Sequence, residues 1–142
     1  MKYVTERDIA APTAAVWAQV ADVEHWPDVT ASVEGVELLD PAPLHVGSQV
    51  RVRQPKVRPM VWTVTEWAPE RSFAWTASAS GVNFAAAHTC APADQGTRLV
   101  LTFELTGPMA WLGALVGGAR ARQYVDMEAD GFKRRAEEGA GS

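Results

Sequence analysis

The sequence is poor in cysteine and has no long hydrophobic segment. Its 142 residues include one cysteine, Cys90, which excludes an internal disulfide and suits a reducing compartment. No stretch approaches the roughly 20 apolar residues that a membrane-spanning helix needs. The N-terminal residues lack the apolar core of a secretion signal. We therefore expect a cytoplasmic protein without a membrane span.

Motifs for metal, nucleotide and nucleophilic chemistry are also missing. The three histidines, His25, His45 and His88, are scattered and form no ligand-spaced cluster with cysteines or carboxylates, so no metal is expected. There is no phosphate-binding loop, dinucleotide glycine motif or nucleophile elbow, and hence no cofactor is expected. The net charge of −4 and the pI near 5.3 argue against nucleic acid as a partner.

The composition fits one soluble globular domain over 1–142. Apolar residues make up 47% and charged residues 21% of a chain long enough to bury a core without disulfides. We find no internal repeat and no second domain. Residues 139–142 read as a frayed tail.

Period-two alternation of apolar and polar residues predicts an antiparallel sheet of about seven strands. One face of each strand is more apolar than the other, as in a sheet packed on one side only. Turn residues such as Pro69 and Gly81 separate the segments. The predicted strands are 3–9, 33–39, 48–54, 60–67, 72–80, 82–90 and 97–106.

Helical signals flank this series of strands. Pro12 suits the first turn of a helix, and Val16, Trp17 and Val20 follow at helical spacing. A second, short helix is predicted within 23–31. A long helix from about Pro108 to Glu138 closes the chain, weakened by Gly113, Gly117 and Gly118 at roughly 1 kcal/mol each relative to alanine. Those glycines can permit close approach of another backbone segment, mark a bend in the helix, or leave room for a ligand.

The element order and several motifs resemble a known superfamily. The segment from Ile9 through Pro12 to Val16 and Trp17, the Asp22 to Trp26-Pro27 spacing, and the stretches 62–75 and 128–133 are similar to SRPBCC proteins. That superfamily includes START-related lipid-transfer domains, birch-pollen-allergen-like proteins and bacterial polyketide cyclases/dehydrases. The resemblance implies an α+β helix-grip fold, a curved antiparallel sheet wrapped on a long C-terminal helix. It implies a cavity between the two for a small apolar ligand, and no shared catalytic residues.

Strand parity and helical spacing predict which residues line that cavity. Aromatic side chains supply large apolar walls in ligand sites, although most are simply core. From the sheet we expect Trp62, Phe73, Trp75, Phe84, His88, Leu101 and Phe103. From the helix we expect Leu112, Leu115, Val116 and Ala119.

Three side chains are candidates for proton transfer. His88 lies on the apolar face of its strand, where an imidazole can bind a ligand carbonyl or act as a general acid or base; the alternative is a satisfied core histidine. Glu66 shares parity with Trp62, but its place near the strand end favours a solvated rim. Tyr124 can present its phenol to the cavity or cover the sheet edge. Cys90 has no basic neighbour and is a poor nucleophile.

Three functions remain open on this basis. The first is binding of a small hydrophobic molecule such as a lipid, polyketide or isoprenoid. The second is a cyclase/aromatase or dehydratase reaction in which His88, with Tyr124 or Glu66, moves protons. The third is a protein-interaction module, with a homodimer as one form. Arg51, Arg53, Lys56 and Arg58 form a basic cluster, either a solvated face or a rim that attracts an anionic group, to which Arg120 and Arg122 can add.

Overall fold

The computed structural model of the chain describes residues 1–140, and these form seven strands and three α-helices. This confirms the predicted helix-grip-like α+β fold. The strands are β1 Lys2–Ile9, β2 Gly35–Leu38, β3 Gln49–Arg53, β4 Met60–Ala68, β5 Ser72–Ala79, β6 Val82–Ala93 and β7 Gly96–Thr106. The helices are α1 Thr13–Ala21, α2 Trp26–Val29 and α3 Ala110–Ala140, with a 3₁₀ turn Val23–His25 before α2.

All strands pair in one antiparallel sheet with the order β1-β7-β6-β5-β4-β3-β2. The hairpins alternate between the two ends of this sheet. One end, called here the near end, carries the β3–β4 loop (54–59), the β5–β6 turn (80–81) and the β7–α3 connection (107–109). At the near end the Met109 amide donates to the Gly81 carbonyl at 3.1 Å, which ties the start of α3 to the sheet.

The C-terminal half of α3 is fixed to the opposite end of the molecule. Its buried residues Val125, Ala129, Phe132 and Ala136 repeat at spacings of four and three, as a helix packed along one stripe requires. Phe132 packs on Trp26 of α2 with ring centroids 5.4 Å apart. The backbone comes so close at this point that only glycine fits at position 131.

Polar contacts to the edge strand β1 also fix how α3 is rotated. The Tyr3 hydroxyl donates to both carboxylate oxygens of Asp126 at 2.8 and 2.9 Å, and Arg7 donates to Asp130 at 2.7 Å. Because Asp126 and Asp130 are one turn apart, they face the same strand. These contacts and the buried stripe set one rotation for the whole helix.

The C-terminal tail differs from expectation. Gly139 and Ala140 continue α3, so the helix extends two residues past the predicted end at Glu138. Of the tail predicted over 139–142, the last two positions lie outside the described residues.

We predict that two glycines of α3 respond oppositely to alanine. A methyl group at Gly117 meets no atom within 4 Å, whereas one at Gly131 would lie 2.5 Å from the Val29 carbonyl oxygen. Gly117→Ala should therefore raise the free energy of unfolding by up to about 1 kcal/mol, the helix-propensity gain. Gly131→Ala should lower it by about 1–3 kcal/mol. Urea denaturation of both variants checks this, and equal effects would contradict the proposed packing of α3.

Candidate functional site

A cavity of about 280 Å³ lies between the sheet and the N-terminal half of α3. Its walls are mostly apolar. The sheet side is formed by inward-facing residues of β3 to β7, and Trp26 of α2 also lines it. The β3–β4 loop and α3 complete the wall with side chains that are partly exposed, so the cavity opens at the near end of the sheet. The residues of α3 that line it are Gly113, Val116, Gly117, Arg120, Ala121, Tyr124, Val125 and Glu128.

Most of the sheet residues predicted for this wall lie there. They are Trp62, Trp75, Phe84, His88, Leu101 and Phe103. Phe73 does not: it is completely buried behind the wall, where its ring stacks on His88 at 4.2 Å between centroids. Phe73 pairs with His88 across β5 and β6, and it also contacts Trp17, Trp26 and Trp67. Of these neighbours, His88 and Trp26 line the cavity themselves.

The predicted helix residues need a correction. Val116 reaches the cavity, but Leu112, Leu115 and Ala119 do not line it, and Leu115 is 77% exposed. The spacing correctly marks an apolar stripe, but not the direction in which that stripe points. Rotation of α3 is set by its C-terminal half, and this turns the glycines and Tyr124 toward the sheet instead.

His88 is buried, and its ring lies between aromatic neighbours. Its Nδ1 lies 3.4 Å from the Phe73 carbonyl oxygen, and Trp26 contacts the ring at 5.4 Å between centroids. Burial lowers the pKa of His88 to about 4, against a smaller opposing effect of the Phe73 hydrogen bond. The imidazole is therefore neutral at pH 7. With the proton on Nδ1, donated to Phe73, Nε2 has no hydrogen-bond partner in residues 1–140 and is available as an acceptor.

Glu128 is a site residue that the sequence analysis missed. It lines the same cavity from α3, and no group in the described part of the chain hydrogen-bonds or ion-pairs with its carboxyl. Glu128 is half-buried in the cavity wall, and its loss of water raises the pKa of the carboxyl to about 8, which favours the protonated form at neutral pH. One signal was present: Glu128 follows Tyr124 by one turn and Gly117 by three, on the same helical stripe.

Tyr124 lines the cavity, but its hydroxyl is engaged elsewhere. It donates to the carbonyl of Pro55, which ties α3 to the β3–β4 loop. The phenol proton is thus committed to a structural hydrogen bond that holds one wall in place. Gln54 and Val57 of this loop also line the cavity.

Glu66 lies outside the cavity and is exposed to solvent, which is the alternative that its place near the strand end favoured. A bulge between Val64 and Glu66 inserts Thr65 into β4 and shifts strand parity by one residue. Trp67 then takes the inner face and contacts Trp17 at 5.3 Å, while Glu66 is exposed and accepts a hydrogen bond from Ser72 at 3.0 Å.

Cys90 is buried, and burial raises the pKa of its thiol to about 11, so a thiolate is disfavoured. Within residues 1–140, no three histidine, cysteine or acidic side chains are grouped to hold a metal ion.

The two shifted groups predict a pH dependence that a Glu128→Gln variant separates. Between pH 4.5 and 8 the folded protein keeps the Glu128 proton that the unfolded chain has lost, so its free energy of unfolding falls as pH rises. Between pH 6.5 and 4, neutral His88 makes stability fall as pH falls.

Urea denaturation from pH 4 to 9 should therefore show Glu128→Gln gaining stability up to about pH 6.5 and then staying level. The free energy of unfolding of wild type should fall relative to that of the variant as pH rises, by on the order of 1–3 kcal/mol at pH 7. Parallel curves for the two proteins would show that the carboxyl is well solvated.

Comparison with known proteins agrees with this architecture. The profile of one family, described as polyketide cyclase/dehydrase and lipid transport, matches residues 1–137. The sequence matches none of the curated proteins with which it was compared.

Solved structures share the fold at low sequence identity. TTHA0849 from Thermus thermophilus aligns over 99% of both chains with a TM-score of 0.76 and 20% identity. The hypothetical protein jhp0584 from Helicobacter pylori aligns over 96% of this chain and 88% of its own, with a TM-score of 0.82 and 14% identity. The di-domain ARO/CYC BexL of the BE-7585A biosynthetic pathway covers all of this chain with half of its own, at 0.74 and 14%. The family match over nearly the whole sequence confirms the resemblance inferred from the element order and motifs: the chain belongs to the polyketide cyclase/dehydrase and lipid transport family.

Proposed function

We propose that the protein binds a small, mainly apolar molecule in the cavity between α3 and the sheet. The observation that carries the proposal is an open apolar cavity whose wall includes the Glu128 carboxyl and Nε2 of His88, neither of which has a hydrogen-bond partner among residues 1–140. Ligand sites typically combine apolar walls with a few such groups. The apolar walls would supply most of the affinity, at about 25 cal/mol per Å² buried.

The cavity favours a ligand of limited size that carries oxygen. Its volume of about 280 Å³ lies just below the range of roughly 300–1,000 Å³ found for small-molecule sites. At neutral pH the protonated Glu128 is a donor and His88 Nε2 an acceptor. A ligand that presents a carbonyl to the first and a hydroxyl to the second would satisfy both groups. Leaving either group unpaired against an apolar ligand costs about 1–3 kcal/mol.

We predict that a bulky side chain at position 117 blocks binding while alanine does not. The fluorescent probe is N-phenylnaphthylamine, a neutral molecule with two linked aromatic groups whose fluorescence emission increases in apolar sites. A methyl at Gly117 meets open space, whereas Gly117→Leu would extend into the cavity and should weaken probe binding about tenfold or more. Gly117→Ala is the matched control and should bind as wild type does.

Two results would reject the binding function. One is no probe binding by wild type, combined with native mass spectra that show no co-purified molecule. The other is probe binding by the Gly117→Leu variant that is as strong as that of wild type. A Leu115→Ser variant separates cavity binding from adsorption to the outer helix surface, because Leu115 does not line the cavity.

Proton-transfer catalysis is the second candidate, and one observation favours it. His88 and Glu128 line one cavity with pKa values shifted in opposite directions, so a neutral base and a neutral acid coexist at pH 7. Such a pair suits removal of a proton α to a carbonyl: His88 Nε2 takes the proton while Glu128 donates to the carbonyl oxygen, giving an enol. Cyclisation and dehydration of β-keto compounds both begin in this way, and the family's description and the ARO/CYC neighbour point to that chemistry.

We predict that the protein accelerates exchange of the acidic C–H protons of benzoylacetone, an apolar β-diketone, in deuterated water. Proton NMR measures the rate. Because general acid–base groups contribute about 10²–10⁴-fold, His88→Asn and Glu128→Leu should each slow the bound-state exchange by at least about tenfold. Tyr124→Phe should not, since its hydroxyl serves Pro55. Full exchange activity in both variants, with folding verified by circular dichroism, would reduce the function to binding alone.

A further inference from the structure

The outer surface of α3 near its start carries large apolar side chains that no described residue covers. Trp111, Leu115 and Val116 are 67%, 77% and 78% exposed, and Leu112 is 37% exposed. We call these four residues the outer patch. Trp111 and Leu115 lie one turn apart, as do Leu112 and Val116, so the patch is continuous along two turns. It adjoins the cavity opening, because Val116 belongs to both.

Positive charge surrounds this patch although the chain as a whole is acidic. The segments 41–65 and 105–125 contain no aspartate or glutamate and six of the 13 lysines and arginines. The rest of the chain therefore bears a net charge of −10. The Tyr124 hydrogen bond to Pro55 brings the two segments together at the near end. Among the described residues Arg51 is the only one of these six cations with an ion pair, to Glu37, so Lys56, Arg58, Arg120 and Arg122 are free to meet an anionic partner.

This combination selects an anionic partner over a second copy of the chain. A twofold interface through the outer patch would place Arg120 and Arg122 near their own symmetry mates, and like charges there oppose association. Tryptophan and aliphatic residues beside arginines on one exposed helix surface are instead the chemistry of an interfacial helix on a lipid bilayer. In the described chain no helix is long and apolar enough to cross a membrane, so the contact would be peripheral.

We propose that the protein docks on anionic lipid bilayers through the outer patch, with Lys56, Arg58, Arg120 and Arg122 against the lipid headgroups. When the protein is docked in this way, its cavity opens toward the lipid. If the cavity holds an apolar molecule, as the proposed function states, that molecule can pass between bilayer and cavity without crossing water. The docking itself does not require a ligand in the cavity.

Vesicle co-sedimentation tests the proposal with two kinds of vesicle, pure phosphatidylcholine and an equimolar mixture of phosphatidylcholine and phosphatidylglycerol. Wild type should bind the mixed vesicles at least about tenfold more strongly, and added salt should weaken that binding. Trp111 provides a second readout, since it is the one exposed tryptophan of the six. Its emission should shift to the blue on the mixed vesicles, and Trp111→Phe should remove the shift.

Variants outside the cavity wall separate the apolar contribution of the outer patch from the electrostatic contribution of the basic residues. The pair Trp111→Ser with Leu115→Ser, and the pair Arg58→Glu with Arg122→Glu, should each weaken vesicle binding about tenfold or more. The matched controls are Val46→Ser, a valine 60% exposed at the opposite end of the sheet, and Arg71→Glu in the β4–β5 turn. Both controls should bind as wild type does.

Several outcomes would overturn the docking proposal. One is that wild type does not bind the mixed vesicles. Another is that both variant pairs bind them as strongly as wild type does. A third is that sedimentation velocity shows a dimer, and that the pair Trp111→Ser with Leu115→Ser dissociates it. The last would assign the patch to a second copy. N-phenylnaphthylamine binding, measured in the same variants, separates this test from the proposed function. Vesicle binding without probe binding rejects the cavity function alone, and probe binding without vesicle binding rejects the docking alone.

Discussion

The close approach of α3 to α2 at Gly131 is the contact on which the site depends. The position of a hypothetical side chain there, 2.5 Å from the Val29 carbonyl, shows that the backbones touch. Arg134 reinforces the contact by donating to the same carbonyl at 2.8 Å. Since an α-helix is stiff, a rotation fixed at its C-terminal half determines which residues face the sheet four turns earlier. Gly113, Gly117 and Glu128 face the cavity, and Trp111 and Leu115 face outward, for this one reason.

The same geometry explains why the polar groups of the cavity are poised for chemistry. The sheet places His88 beneath Phe73 and Trp26, and α3 places Glu128 across an apolar space. Burial disfavours the charged form of each group, which lowers the pKa of the imidazole and raises that of the carboxyl. At pH 7 both groups are therefore uncharged, and they still offer a donor and an acceptor. An apolar ligand therefore meets no buried charge, whose desolvation would oppose its binding.

The strands could be predicted from the sequence because alternation is a local consequence of the pleat, and most inward residues of β5 to β7 follow from parity alone. Parity failed at Glu66, where a bulge at Thr65 shifts the phase without a glycine or proline to signal it. Helical spacing failed differently. The stripe through Trp111 and Leu115 is real, but the direction in which it points depends on contacts made by residues 126–136 with β1 and α2. Glu128 was overlooked because it begins a charged stretch, where acids usually face solvent.

The N-terminal half of α3 is less stable than a helix of its length needs to be, and the residues that make it so lie at the site. Gly113 and Gly117 forgo about 1 kcal/mol each of helix propensity, but a methyl at Gly117 would point into open space and one at Gly113 would press on Val82 and Leu105 at 3.3 Å. The outer patch forgoes burial of four large side chains. At the beginning of the C-terminal half, the Glu128 carboxyl has no hydrogen-bond or ion-pair partner among residues 1–140. Natural proteins keep such features where activity conflicts with stability. Their concentration on one stretch of one helix, beside an open cavity, argues that this half of α3 is maintained for binding rather than for folding.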